Sequence, residues 1–163
     1  MDGFERELAG LLPRLRRFAR SLTRDHADAD DLVQLSLERA LNARAQWQPG
    51  TRLDSWMYRI MKNAWIDETR SRTRRDRTFA PEEAGEGVGA DARPAVEARI
   101  EIGNVERALA QLPDEQRLAV ALVLVEGLSY KEASDVLEVP MGTLTSRLVR
   151  GRQALMAQLG EAA

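Results

Sequence analysis

Residues 127–156, GLSYKEASDVLEVPMGTLTSRLVRGRQALM, contain two short helical patterns joined by a tight turn. Ser129 can cap the first helix, and Glu132 three residues later completes a capping box. Pro140 ends the first pattern because it cannot donate to a preceding helical turn, but it can begin a new helix. Apolar residues then recur along one face of the second helix: Leu144, Leu148 and Leu155.

This layout is typical of a helix-turn-helix, in which the first helix supports a second helix that enters the major groove of DNA. Hydroxyl groups and arginine side chains on the second helix suit base edges and phosphates. The residues that lie off its apolar face are Thr143, Ser146, Arg147 and Arg150. The spacing alone also fits an ordinary helical hairpin that carries a solvated basic face, so both interpretations stay open at this point.

The composition favours a helical protein of one domain or two small ones. Among 163 residues, Ala, Leu, Arg and Glu are plentiful and aromatic residues are few, a bias that favours helices. The absence of cysteine excludes disulfides, thiolate metal sites and thiol nucleophiles. No apolar run reaches membrane-spanning length, and the first residues lack the order of a signal peptide. We therefore expect a cytoplasmic protein with no membrane insertion.

The net charge of −2 hides an uneven distribution along the chain. Residues 1–77 carry a net charge of +4, whereas residues 78–100 and 101–163 each carry −3. An acidic DNA-binding unit gains little from nonspecific attraction to phosphates. We therefore expect DNA binding by the C-terminal part to be local, weak on its own and assisted by a partner.

Two helices are expected before residue 45. Residues 4–24 are amphipathic, and Pro13 is expected to kink or split that helix. The acidic segment 25–31 suits a helix start, where carboxylates meet the positive end of the dipole. Its aspartates do not match the spacing of a calcium loop, and the lone His26 is interpreted as a surface residue. A stripe of residues expected to be buried follows: Val33, Leu37, Ala40 and Leu41.

Residues 53–77 combine aromatic and basic side chains in one helical segment. Around its apolar face lie Trp56, Tyr58, Arg59, Lys62, Asn63 and Trp65. One interpretation is a core helix with aromatic packing. The other is a platform for unstacked bases, with aromatic faces to stack on, cations for phosphates and an amide for a base edge. A run of arginines over 70–77 raises the odds of nucleic-acid binding.

The chain as a whole is predicted to be all-α, with two helical domains, 1–77 and 99–163, joined by an acidic Gly/Pro linker over 78–98. In the second domain, Asp114 is a candidate helix cap. Residues 116–125 form a strongly apolar central helix, part of which could instead be a partner groove. We find no phosphate-cradling glycine loop, nucleophile–base pair or metal set, so we expect no catalysis, no metal and no cofactor.

Three motifs, in their order and spacing, carry a resemblance to a bacterial family. They are DADDLVQ at 28–34, RLDSWMYRIMKNAWID at 52–67, and the stretch at 112–155 that begins LPDEQ and ends RQAL. The chain resembles the group IV, or extracytoplasmic-function, sigma factors of RNA polymerase. The resemblance implies a sigma-2-like and a sigma-4-like domain that bind core RNA polymerase, at the β′ clamp helices and the β flap, and direct it to promoter DNA. It also implies an anti-sigma factor that holds the protein inactive, and we expect a monomer when it is free of partners.

The same resemblance implies three sets of contact residues. Those for core polymerase are Asp30, Asp31, Leu32, Val33 and Gln34. Those for the separated strand of the −10 element are Trp56, Tyr58, Arg59, Lys62 and Asn63. Those for the −35 major groove are Thr143, Thr145, Ser146, Arg147 and Arg150.

Two residues depart from the family pattern. Leu35 stands where the family usually has an acidic residue, and Thr145 stands where many members have Lys or Arg. We therefore expect an altered edge of the β′ contact and an altered −35 preference. The alternative function is a non-initiating two-domain DNA-binding regulator, or sigma mimic, that acts by titrating a partner. A metal-dependent nuclease built on the aspartate cluster is a third hypothesis, which the ligand spacing disfavours.

Overall fold

The computed structural model describes residues 1–78 and 97–162. The N-terminal unit contains α1 (Gly3–Leu22), α2 (His26–Asn42), a 3₁₀ turn (Arg44–Gln46) and α3 (Leu53–Thr78). The C-terminal unit contains α4 (Glu97–Ala110), α5 (Asp114–Val120), a π-helical segment (Ala121–Val125), α6 (Tyr130–Leu137) and α7 (Met141–Ala162). Every regular element in the described part is helical, which confirms the all-α prediction. The predicted linker, 78–98, lies almost wholly outside the described residues.

The capping box predicted from the sequence begins α6. The Glu132 N–H donates to the Ser129 hydroxyl at 3.1 Å, and the Ser129 N–H donates to the Glu132 carboxylate at 2.8 Å. These reciprocal bonds satisfy two backbone donors that a helix start would otherwise leave unpaired. After α6 the chain turns at Glu138, which adopts a left-handed φ of 57°, and α7 begins directly after Pro140. The two helices of the predicted helix-turn-helix are therefore α6 and α7.

Local expectations at three residues are corrected. Of the two outcomes expected at Pro13, the split is wrong, since α1 is one unbroken helix with Pro13 on its exposed side, where water can satisfy the freed carbonyl group. Asp114 does not cap α5: Pro113 holds that position, and Asp114 is the first helical residue, where its carboxylate still meets the positive dipole end. Leu41 is 51% exposed, because it lies in the last turn of α2 beside a surface cleft.

The buried apolar residues of both units belong to one core. α1 packs on α2 and α3 and also contacts α4, α5 and the π-helical segment, while α3 contacts α6. Near the middle of this core the rings of Phe18 and Tyr58, both fully buried, meet edge to face with centroids 5.1 Å apart. The C-terminal unit is thus packed against α1 and α3, so side chains of the two units share their surroundings.

A glycine allows α5 and α7 to pack at close range in the C-terminal unit. A Cβ atom added to Gly151 of α7 would lie 2.7 Å from Val120 Cγ2 and 3.2 Å from the backbone oxygen of Gln116, both on α5. The first distance is far inside normal van der Waals contact, so α5 and α7 could not approach as they do with any larger residue at this position.

We predict that Gly151→Ala destabilises the protein by about 1–3 kcal/mol, because the added methyl group forces the two helices apart. The matched control is Gly10→Ala in α1, where an added Cβ meets nothing within 4 Å. That change should stabilise the protein by about 0.5–1 kcal/mol through helix propensity. Urea unfolding of both variants measures the difference, and equal stabilities would show that α5 and α7 are not in close contact.

Candidate nucleic-acid and polymerase interfaces

The first half of α3 presents one edge to the surface and the other to the core. Asn63 and Arg59 are exposed, and Trp56 is half-buried, its indole ring 6.1 Å from the ring of Phe4. An amide, a guanidinium and an aromatic ring therefore lie on consecutive turns of a single helix. This combination can hydrogen-bond a base edge, bind a phosphate and stack with a base.

Tyr58, predicted as a DNA contact, lies in the core. Its side chain is fully buried, and its hydroxyl donates to Glu126 Oε1 at 2.7 Å. Burial and the hydrogen bond to Glu126 raise the pKa of Tyr58 well above its usual range, so the phenol stays neutral. The alternation of inward and outward positions along α3 places this ring towards α1, and in this arrangement it offers no surface to a base.

Lys62, a second predicted contact, is only 5% exposed. Its ammonium group lies 3.7 Å from Glu138 Oε2 of the C-terminal unit. Arg59 donates a 2.7 Å hydrogen bond to the backbone carbonyl of Asp135, and its Nε lies 4.0 Å from Glu138 Oε1. Two of the cations predicted to meet DNA are therefore occupied by α6 and by the residue that follows it.

Arg52 belongs with this group, although it is absent from the predicted set. Its guanidinium contacts the Glu132 carboxylate on one side and donates to Asp54 Oδ2 at 2.7 Å on the other. Arg52 and Trp56 line one wall of a cleft of about 320 Å³, whose opposite wall is α6. Arg52 begins the motif RLDSW, and its position just before a helix with aromatic and basic residues could have suggested it.

Asp54 organises the start of α3. Its buried carboxylate accepts from Arg52, from Arg14 Nη2 at 2.8 Å and from the Ser55 N–H at 2.7 Å. Burial by itself would raise the pKa of Asp54, but the hydrogen bonds from Arg52, Arg14 and Ser55 outweigh it, and the pKa lies below its ordinary value. The carboxylate therefore stays ionised and holds Arg52 at the rim of the cleft.

The residues predicted for the −35 element lie together in the first three turns of α7. Ser146 and Arg150 are exposed, and Thr143 is half-buried. The Thr145 hydroxyl donates to the Met141 carbonyl at 2.8 Å, and Arg147 lies 3.6 Å from Glu115 Oε2. Of the five, Ser146 and Arg150 are the most accessible to a DNA groove.

The residues predicted for core polymerase divide between the two faces of α2. Asp30, Asp31 and Gln34 are exposed, whereas Leu32 and Val33 are buried in the core. The two apolar residues thus fix the helix in place, and the polar ones face outward. Leu35, which departs from the family pattern, is half-buried.

Other kinds of site find no support in the described residues. No group of three or more His, Asp or Glu side chains there lies close enough to hold a metal ion. Over the same part of the chain, no helix combines the length and the apolar character that crossing a bilayer requires.

Together, the helix-turn-helix and the amide–aromatic–arginine edge of α3 define a two-unit helical protein of the DNA-binding, transcriptional class. Two sequence families match the two units: Sigma2 domain of PhyR over residues 8–62, and Sigma-70, region 4 over residues 102–155. The chain is 35% identical to the ECF RNA polymerase sigma factor EcfG of Rhodopseudomonas palustris, over 97% of this chain and 86% of that protein. It is 37% identical to SigM of Mycobacterium tuberculosis, over 90% of this chain and 71% of that protein.

Solved structures agree with these relatives. The sigma factor RpoE of Bartonella quintana, in complex with the anti-sigma factor NepR, matches with a TM-score of 0.79 and 29% identity over 98% of both chains. CnrH in complex with the cytosolic domain of CnrY matches with a TM-score of 0.72 and 26% identity, over 98% of this chain and 89% of that one. The chain belongs to the extracytoplasmic-function (ECF) family of RNA polymerase sigma factors, which confirms the resemblance carried by its motifs.

We predict that Asp54→Asn lowers the free energy of unfolding at pH 7 by about 1–3 kcal/mol, because Arg52 and Arg14 lose a buried charged partner. The folded-state pKa of Asp54 lies below the unfolded value of about 3.9. Its contribution is therefore present above pH 4 and is lost as the pH falls further. Urea unfolding at several pH values should show the two proteins converging below about pH 4.

The control for this prediction is Asp67→Asn. The carboxylate of Asp67 is 57% exposed and pairs with Arg39 at the surface. This variant should differ from the parent protein by at most about 1 kcal/mol at any pH. A constant deficit for Asp54→Asn from pH 7 to pH 3 would contradict the prediction, because the loss would then not depend on the charge.

Proposed function

We propose that this ECF sigma factor binds core RNA polymerase through the exposed face of α2 and contacts promoters at two places. Residues 1–77 bind the separated strand of the −10 element, and residues 99–163 bind the −35 duplex. The observation that carries this assignment is the presence, in one ECF-family chain, of an exposed helix-turn-helix edge and of the amide–aromatic–arginine edge of α3.

The polymerase contact rests on Asp30, Asp31 and Gln34. They project from a helix whose inner face, Leu32 and Val33, is anchored in the core. A rigid polar face of this kind suits the β′ clamp helices, because its side chains are already oriented and little conformational entropy is lost on binding. Leu35 at the margin of this face replaces an acidic contact with an apolar one.

The −10 contact rests on Asn63, Trp56 and Arg59. Separating the strands costs about 1–2 kcal/mol of stacking energy per step. Stacking a released base on an aromatic side chain returns about 1–3 kcal/mol. Capture of the bases can thus offset their unstacking, with no need for nucleotide hydrolysis by this protein. Tyr58 supports α3 from the core, and Lys62 can contact phosphate only after Glu138 has moved away.

The −35 contact rests on Ser146 and Arg150, with Thr143, Thr145 and Arg147 beside them. A C-terminal unit with a net charge of −3 over residues 101–163 binds DNA weakly by itself. Attachment of both units to one polymerase makes the second DNA contact nearly intramolecular, which can strengthen binding by orders of magnitude. Binding to core polymerase, including its β flap, therefore supplies the DNA affinity that each unit lacks on its own.

An anti-sigma factor is the expected regulator of this protein. The solved RpoE structure contains the anti-sigma factor NepR, and the solved CnrH structure contains the cytosolic domain of CnrY, each bound to a chain of the same fold. We extend this mode of regulation to the present chain and place its activity in the cytoplasm, where core polymerase transcribes the chromosome.

The assignment predicts that Arg150→Ala reduces transcription from a −35-dependent promoter about tenfold, because one arginine contact to a base or phosphate is worth about 1–3 kcal/mol. Core affinity should not change. Asp31→Ala should do the reverse, weakening core binding while leaving the −35 preference intact. Run-off transcription from a promoter library with reconstituted polymerase, together with a core-binding titration, measures both effects.

Arg152→Ala is the matched control, since Arg152 is an exposed arginine outside the predicted contact set and projects from the side of α7 roughly opposite to Arg150. It should leave transcription near the parent level. Equal loss of core affinity in Arg150→Ala would show that α7 is not a DNA-reading helix. DNA or partner binding without any promoter-specific transcript would favour the non-initiating regulator.

A further inference from the structure

A row of acceptor groups on α6 and its C-terminal turn meets the basic groups of α3 and of Arg52, the residue just before it. Arg52 contacts the Glu132 carboxylate, and Arg59 donates to the Asp135 carbonyl at 2.7 Å. Glu138 lies 3.7 Å from Lys62 and 4.0 Å from Arg59. Positions 132, 135 and 138 are three residues apart, so they lie along one side of the helix and its cap.

These acceptors resemble the phosphates of a nucleic-acid strand. Carboxylates and phosphates are both anionic oxygen acceptors that pair with arginine in the same fork geometry. The Asp135 carbonyl adds the negative end of the α6 dipole. α6 therefore presents to Arg52, Arg59 and Lys62 the same kind of groups that a single strand would present.

We propose that α6 is an internal competitor of the −10 strand: in the free chain it occupies the basic residues of α3 and blocks single-stranded DNA. This inference rests on the proposed −10 role of α3. The cleft between α3 and α6, about 320 Å³ in volume, lies where a strand that stacked on Trp56 would have to pass.

The contact of Glu138 with α3 has a local cost in backbone conformational energy. It adopts a φ of 57° at the C-terminal cap of α6, a conformation that a non-glycine residue adopts at a cost of about 1–2 kcal/mol. Glycine would fill this position without strain. A glutamate there gains nothing for the cap itself, but it brings a carboxylate to Lys62 and Arg59.

A second, buried set of contacts holds the C-terminal unit in place. The fully buried Glu126 carboxylate accepts two 2.9 Å hydrogen bonds from Arg17 and one from Tyr58. Arg117 donates to the carbonyls of Ser21 and Thr23 at 2.6 and 2.9 Å, at the end of α1. Burial lowers the pKa of Arg117 to about 10, so it keeps its charge at neutral pH.

Promoter binding requires this arrangement to open. Elements centred near −10 and −35 lie about 25 base pairs apart, or about 85 Å of duplex. α6 cannot touch α3 while α7 occupies the −35 groove at that distance. The exposed positions of Ser146 and Arg150 mean that closure covers the single-strand site and leaves the duplex-reading edge accessible.

The test uses the double variant Glu132→Gln with Glu138→Gly in the full chain. Glutamine can still complete the capping box, and glycine suits the left-handed cap, so the helices of the C-terminal unit are kept while both carboxylates are removed. The control, Glu38→Gln with Glu106→Gln, removes the same charge from positions on α2 and α4 and leaves the contact between Glu115 and Arg147 in place. Thermal unfolding should show that both variants remain folded.

The test has two readouts. The first is the distance between two dyes attached to introduced cysteines, which can be labelled specifically because the chain has no natural cysteine. Gln46→Cys and Gln153→Cys, at exposed positions of the two units, carry a donor and an acceptor dye. The test variant should show a larger fraction of molecules with a long distance between the dyes than the parent, because the buried contacts of Glu126 make opening all-or-none, and the control should not.

The second readout is the affinity for a fluorescent fifteen-residue oligothymidine. It should rise about five- to tenfold in the test variant alone, since the three ion pairs that Glu132 and Glu138 form with Arg52, Arg59 and Lys62 no longer compete.

The proposal would be overturned by an unchanged distribution of dye distances, by an affinity gain shared by the control, or by an opened chain with no gain in oligothymidine binding. The last result would reject competition at α3 even if run-off transcription stays promoter-specific, so failure of this inference is distinct from failure of the proposed function. Adding Arg59→Ala to the test variant should remove the gain. Persistence of the gain would place the DNA elsewhere and would also overturn the proposal.

Discussion

The arrangement of the two units depends on one buried carboxylate. Glu126 lies where the π-helical segment ends, has no exposed side-chain surface, and is satisfied by Arg17 of α1 and Tyr58 of α3. A buried charge that loses its partners costs several kcal/mol, so this group tolerates either full pairing or full hydration and little in between. The interface is therefore expected to separate as a whole and not by gradual loosening.

The π-helical segment explains how this carboxylate reaches its partners. The Glu126 N–H donates to the Ala121 carbonyl at 2.9 Å, a bond to the fifth residue back where an α-helix would use the fourth. The extra residue in the turn shifts the direction of the side chain that follows, and Gly127 with a φ of 76° then turns the chain towards α6. One local irregularity thus sets both the buried ion pair and the course of the helix-turn-helix.

Electrostatic attraction between the two units also affects DNA binding. A basic N-terminal unit and an acidic C-terminal unit attract each other when no partner is present, and the acidic face of α6 takes the place of a phosphate chain on Arg52 and Arg59. Electrostatic pairing at a partly exposed surface is weak, on the order of 1 kcal/mol per pair. These exposed pairs therefore contribute only part of the closed state, and a polymerase that binds both units must also offset the loss of the buried Glu126 contacts and of the shared core.

Local signals in the sequence determined a large part of this protein. Helical periodicity, the Ser129–Glu132 capping box and Pro140 gave α6 and α7 with their turn, and the three motifs gave the family. These features depend on residues within one or two turns of each other, which is why they can be read without a structure. The sequence also predicted α3 as a helix and offered two interpretations of it, a core helix with aromatic packing and a platform for unstacked bases.

Only the tertiary structure decided which residues of α3 face the core and which face the surface. Tyr58 belongs to the core and Lys62 is covered, because α1 and the C-terminal unit pack on that side. The partners that make this happen are far apart in sequence: Arg17 and Glu126 are 109 positions apart, and Arg59 and Asp135 are 76 apart. No periodicity or cap encodes such pairs, since they depend on which surfaces meet once the helices have formed.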